Sequence, residues 1–178
     1  MVSQLRSTGA NLASIATITL NPQEHVSFFP LSHEGFVLIS LGESTVQING
    51  REDSLHLGDA KQLKGEEPLT LSNSLSSSAK FGLIKIKHSS QNLTITSTKL
   101  ERGEELEDAS DRNQTLLIAV TSLHLRDIRD MNDEDELSKP GKAAWLHLLK
   151  GQARWISPGM HRLRNFSEAS VQFVTIEW

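Results

Sequence analysis

The chain has 178 residues, enough for one substantial core or for two small fused β-domains. Its formal charge of −4, with 18 Lys and Arg scattered rather than clustered, argues against nucleic acid as a partner. There is no cysteine, which excludes disulfides, thiolate metal sites and cysteine nucleophiles, and no tyrosine. The balance of 37% apolar to 22% charged residues suits a soluble globular protein. No apolar run approaches the ~18 residues that span a bilayer, and residues 1–8 lack the apolar stretch of a secretion signal. A cytoplasmic protein with no membrane partner is expected.

In chain order, Ala13 to Leu20 alternates as a strand, and Asn21-Pro22-Gln23 reads as a turn. Val26 to Phe29 is a short strand stopped by Pro30. Phe36 to Leu41 is a buried strand that Thr45 to Ile48 continues, closed by Asn49-Gly50, a strong tight-turn pair. Leu55 to Leu57, Ala60 to Leu63, Leu69 to Leu71 and Phe81 to Ile86 follow, with Ser72 to Ser78 as a solvated hairpin tip. A second series runs through Leu93 to Thr98, Leu116 to Leu125 (a single long strand), Ala143 to Leu149, Ala153 to Ile156 and Val171 to Trp178. Glu101 to Arg112 and Asp127 to Glu136 are acidic polar segments; the second reads as a solvated loop or a single helical turn and lacks the spacing of a calcium loop.

Short strands at intervals of roughly eight to twelve residues predict an all-β sandwich or barrel rather than a parallel βαβ sheet. The halves follow the same plan, each closing on an apolar strand. The expected organisation is two β-barrels, residues 1–90 and 91–178. Among the histidines, His25, His56 and His88 sit in polar turns, and His124 would ordinarily be a hydrogen-bonded core residue. Trp145, Trp155 and Trp178 are expected to fill the second core, and Asn49 and Asn165 to be turn residues.

Two stretches carry a family resemblance. His33-Glu34-Gly35, the run to Gly42-Glu43, Asn49-Gly50 and then Leu55-His56-Leu57-Gly58-Asp59 follow the order of a first cupin motif. Gly151 to Asn165, with Pro158-Gly159-Met160-His161 at its centre, looks like the second motif. The chain thus resembles the cupin superfamily, and the resemblance implies a double-stranded β-helix, the RmlC-like jelly roll, in two fused copies. Within it, Val46 to Leu71 is similar to the pirin-like barrel. Ala13 to Ala16, Phe28-Phe29-Pro30, Gly141 to Trp145 and the Ile-Glu-Trp end are similar to HutD/Ves-like bicupins, without that family's N-terminal segment. Lys150-Gly151 fits either the turn before the second motif or the turn after the central strand. These two registers for residues 141–165 put His147 on different strands.

Cupin enzymes hold a metal with a His-x-His pair, a nearby carboxylate and a histidine of the second motif. In the first half that pair falls at Leu31 and His33, and the later histidine near Pro68-Leu69. In the second half His161 remains, but residues 107–115 contain no histidine. The resemblance therefore implies a bicupin with no expected cofactor, non-catalytic or at most weakly so. It would bind a small polar molecule through His33, Glu34, His161 and Arg162, in a regulatory or accessory role. The alternative is a dioxygenase or isomerase holding Fe, Mn, Ni or Zn through a non-standard set drawn from His33, Glu43, His124, His147 and His161. A structural homodimer pairing through sheet edges is the third expectation. No nucleophile elbow, phosphate loop or zinc helix is present.

Overall fold

The computed structural model describes residues 2–4, 13–29, 34–63, 68–87, 93–108, 115–130, 143–157 and 160–177. His33, Pro158, Gly159 and Trp178, and the acidic run after Asp130, lie outside them. The chain divides into two compact units, Met1–Asn92 and Leu93–Trp178. Among the described residues every regular element is a strand, and no helix is long and apolar enough to cross a membrane.

The first unit contains β1 (Val2–Gln4), β2 (Ala13–Leu20), β3 (His25–Phe28), β4 (Gly35–Ser40), β5 (Ser44–Ile48), β6 (Arg51–Leu55), β7 (Ala60–Leu63), β8 (Leu69–Asn73) and β9 (Ala79–Ile86). They form two antiparallel sheets, β1-β2-β9-β4-β7 and β3-β8-β5-β6. The second unit contains β10 (Thr94–Leu100), β11 (Glu105–Asp108), β12 (Thr115–Ala119), β13 (Leu123–Asp130), β14 (Ala143–Leu148), β15 (Ala153–Ile156), β16 (Met160–Asn165) and β17 (Val171–Glu177). Its sheets, β10-β17-β12-β15 and β11-β16-β13-β14, repeat the first unit's order strand for strand, without a counterpart of β1. In each unit the chain crosses repeatedly from one sheet to the other, which winds two antiparallel ribbons into a double-stranded β-helix.

Period-two patterning explains the cores. In β5 and β8 every second residue is buried, and Val46, Ile48, Leu69 and Leu71 meet Ile18, Leu20, Phe36, Leu38, Phe81 and Leu83 from the facing sheet. Each large side chain buried this way contributes about 1.5–3 kcal/mol of transfer free energy. The second core assembles Leu100, Leu117, Leu125, Leu146, Ile156, Leu163 and Phe173 in the same fashion.

The duplication extends to individual hydrogen bonds. Asn73 Nδ2 donates to the carbonyls of Leu20, Asn21 and Ser77 at 2.7–3.2 Å, while its Oδ1 accepts from Leu75 N–H. Asn165 Nδ2 donates to Leu100, Glu101 and Ala169, and its Oδ1 accepts from Ser167 N–H. In each barrel a glutamate, Glu24 or Glu104, caps the same turn by accepting from the N–H three residues earlier. The left-handed position of that turn is Gln23 in the first barrel (φ 61°) and Gly103 in the second (φ 78°).

Several sequence expectations change. The run Leu116 to Leu125 is two strands, β12 and β13, in different sheets. The bend between them is held where Val120 and Thr121 N–H both donate to Gln172 C=O. Phe36 to Ile48 likewise divides into β4 and β5. Glu105 to Asp108, within an acidic polar segment, is β11, and Asp127, placed in an acidic loop or helical turn, is a buried member of β13. Asn165 is buried at 1% exposure, and so is Asn73, which was expected in a solvated tip. Trp145 is 48% exposed, on the outer face of its sheet. Trp155 is paired with Leu116, one residue out of phase with the core residue Leu117. Neither tryptophan fills the second core. Lys150-Gly151 turns between β14 and β15 as Gly58 turns between β6 and β7, with Gly151 N–H donating to Ala119 C=O as Gly58 does to Ser40. The register that places this turn before the second motif is the observed one.

Candidate binding site in the second barrel

Superposing the hydrogen-bond frames aligns the two interiors. Ser40 corresponds to Ala119, since each receives and gives the same backbone bonds at the β6–β7 or β14–β15 turn, and Asn73 corresponds to Asn165. Counting along strands from these anchors matches Phe36 to Thr115, Ile48 to Asp127, Leu69 to His161 and Leu83 to Thr175. All four residues of the first barrel belong to its apolar core. All four of the second are polar and buried, at 2–7% exposure.

These four polar residues share one end of the barrel interior. Thr175 pairs with the core residue Leu117, and Thr115 lies one further inward-facing position along the same strand. Asp127 pairs with core residue Leu163, and His161 lies one inward-facing position beyond it. The opposite end is marked by Asn165 bonding the carbonyl of Leu100, which itself pairs with Val171. Buried polar groups of this kind are costly unless they are hydrogen-bonded.

His161 meets that requirement on both ring nitrogens. Nδ1 lies 2.7 Å from Asp127 Oδ1 and Nε2 lies 2.7 Å from the Ser157 carbonyl oxygen. A carbonyl only accepts, so Nε2 carries hydrogen and donates to it. A second proton is shared between Nδ1 and the Asp127 carboxylate. The ring is locked in orientation, with neither nitrogen turned toward the interior as a free acceptor.

The described members of the expected set each have partners of their own. Arg162 follows His161 in β16 and so points to the opposite face, where its guanidinium lies 3.9 Å from Glu105. It cannot share a pocket with His161. Glu34 belongs to the first unit and is ion-paired with Lys85 at 2.7 Å. Asp127, Thr115 and Thr175 were missed. For Asp127 a signal existed: the alternation Leu123, Leu125 carries on to residue 127, while the surrounding acidic composition reads as loop.

No protein-family model matches the chain, and no curated protein matches it in sequence. Solved structures match over nearly its whole length. A cupin 2 conserved barrel domain protein from Leptotrichia buccalis aligns with 99% of this chain and 88% of its own, at TM-score 0.55 and 11% identity. The chain carries the cupin fold. YhaK from Escherichia coli aligns with it at TM-score 0.66 and 10% identity, over 99% of this chain and 92% of its own. Oxalate decarboxylase from Bacillus subtilis, described with Mn(II) centres, aligns at TM-score 0.65 and 10% identity, over 93% of this chain and 68% of its own. At such identities the likeness establishes architecture alone.

The described members of the metal set considered for this chain do not converge as a cupin centre requires. His33 lies outside the described residues, and Glu43 is exposed with its carboxylate on His56 Nδ1 at 2.7 Å. His124 and His147 face each other across β13 and β14 on the outer face of the sheet, whereas His161 faces inward. The Nε2–H of His161 presents a proton, not a lone pair, to its neighbour. Among the described residues no three His, Asp or Glu side chains converge.

Proposed function

We propose that this bicupin binds a small polar molecule at the polar end of its second barrel, while the first barrel acts as a packed structural partner. The observation that carries the reading is the replacement of Phe36, Ile48, Leu69 and Leu83 by Thr115, Asp127, His161 and Thr175 at matching positions. A barrel needing only stability would keep hydrocarbon there, as the first does. Hydroxyls beside an oriented imidazole–carboxylate pair suit a ligand with hydroxyl, amide or carboxylate groups, and a few convergent polar groups in an apolar enclosure are the usual makeup of such sites. A binding protein of this kind fits the regulatory or accessory role that the HutD/Ves-like features imply.

The test is a metabolite thermal-shift screen on the full chain, repeated with Thr115→Val and Thr175→Val. A ligand at 100 times its Kd stabilises by about 2.7 kcal/mol, and that gain is expected to fall in both variants. Hits that stabilise wild type and both variants equally refute this location. Stoichiometric Fe, Mn, Ni or Zn in untagged protein, lost on His161→Ala, would replace the reading with the metal-enzyme one.

A further inference from the structure

The outer face of the sheet β11-β16-β13-β14 carries a second constellation, on the side opposite the barrel interior. Trp145 and Phe166 are 48% and 41% exposed and meet edge to face, with ring centroids 5.2 Å apart. His124 lies 4.9 Å from Trp145 and 4.3 Å from His147, extending the aromatic row. The Arg126 guanidinium stands 6.0 Å over the Trp145 ring, and that of Arg164 stands 5.4 Å over Phe166.

Arg126 and Arg164 are directly opposed in register across β13 and β16. Like charges at opposed positions destabilise a sheet, and neither has an ion pair among the described residues. Glu105, the residue opposite Arg164 on β11, has Arg162 as its ion-pair partner, at 3.9 Å. Two forked cations are thus held close by aromatic stacking on a protein whose net charge is −4. Guanidinium forks recognise carboxylate and phosphate in a bidentate manner. A second copy docked about a two-fold axis would set this cationic patch against itself, which disfavours self-association as the explanation.

We propose that this face binds an aromatic acid, a planar ring bearing a carboxylate or a phosphate, whose anion bridges Arg126 and Arg164 while its ring packs against Trp145 and Phe166. Salt weakens the interaction because both cations are near the surface.

Calorimetric titration of the full chain with benzoate and with phenyl phosphate, followed by the indole N–H signal of Trp145 in NMR spectra, tests it. Whichever of the two binds identifies the anion. Inorganic phosphate and benzyl alcohol are expected to bind at least tenfold more weakly than that probe. Arg126→Gln and Arg164→Gln should each weaken it at least tenfold, while Lys61→Gln, at a surface cation of the first unit, leaves it unchanged. Absence of saturable binding by both ring-bearing anions overturns the proposal. So does inorganic phosphate binding equally well, or an affinity indifferent to either arginine. None of these outcomes bears on the interior site, whose variants are different.

Discussion

His161 and Asp127 are hydrogen-bonded at 2.7 Å inside the second barrel, at positions where the first barrel has Leu69 and Ile48. The same fold thus accepts either a polar pair or two aliphatic side chains at one place. This provides an internal control. Removing one partner, by His161→Leu or Asp127→Ile, leaves a buried polar group uncompensated and is expected to cost about 3–5 kcal/mol. The double variant, which installs the first barrel's residues, should recover most of that loss. Denaturant unfolding of the four proteins measures the coupling; additive losses would show that the two residues act independently.

Asn73 and Asn165 should behave alike. Replacement of either by Ala strips three carbonyls and one N–H of their partner at a buried corner. With unsatisfied groups costing roughly 1–3 kcal/mol each, losses of about 3 kcal/mol or more are expected in both barrels. Replacement by Asp, which keeps the acceptor but not the donors, should be as harmful. Chemical denaturation distinguishes this from a surface turn, where the change would be a few tenths.

The exposed pair Glu43–His56 sets a local pH dependence. The hydrogen bond with Glu43 raises the His56 pKa above the ordinary histidine value. The bond with His56, aided by Leu57 N–H, lowers that of Glu43. The histidine's contribution is complete below its unfolded pKa and disappears as pH rises through the raised value. The carboxylate's is complete above its unfolded pKa and disappears as pH falls through the lowered one, so the pair favours the fold between the two folded-state values. Because both groups are exposed, the readout is titration rather than melting. An NMR titration should show His56 titrating above its unperturbed range, and Glu43→Gln should move it back toward that range, leaving only the smaller pull of Asp59.

Chelation supplies a further check. Since His124 and His147 occupy the outer face and His161 is bonded on both nitrogens, prolonged dialysis against a chelator is expected to leave the melting temperature unchanged. A drop reversed by Mn or Fe would contradict the donor geometry described.

Much of the fold is legible in the sequence because period-two alternation is a local property. Ala13 to Leu20 and Ala153 to Ile156 match their strands residue for residue. What was not legible is what distant groups impose. Nothing in Val120-Thr121-Ser122 marks the break between β12 and β13; the bend exists because Gln172, 51 residues away from Thr121, holds it through a backbone bond to the threonine hydroxyl. Trp145 reads as core by composition, yet its phase in β14, adjacent to inward Leu146, turns it outward. The polar end of the second barrel is invisible without alignment of the two interiors, because Thr115, Asp127, His161 and Thr175 are spread over sixty residues of chain.

The paired asparagine corners also bear on the order of folding. Asn73 joins carbonyls 52 and 53 residues upstream to one only four downstream, and Asn165 spans 64 and 65 in the same way. Such a knot cannot tighten until the first and last ribbons of its barrel have already met, and closing separations of that size is slow. The unusual backbone angle at Gln23, where the other barrel uses Gly103, is then imposed by the finished barrel rather than by the turn itself. Each corner works as a latch that closes after the transition state: its loss should accelerate unfolding while leaving the refolding rate nearly untouched.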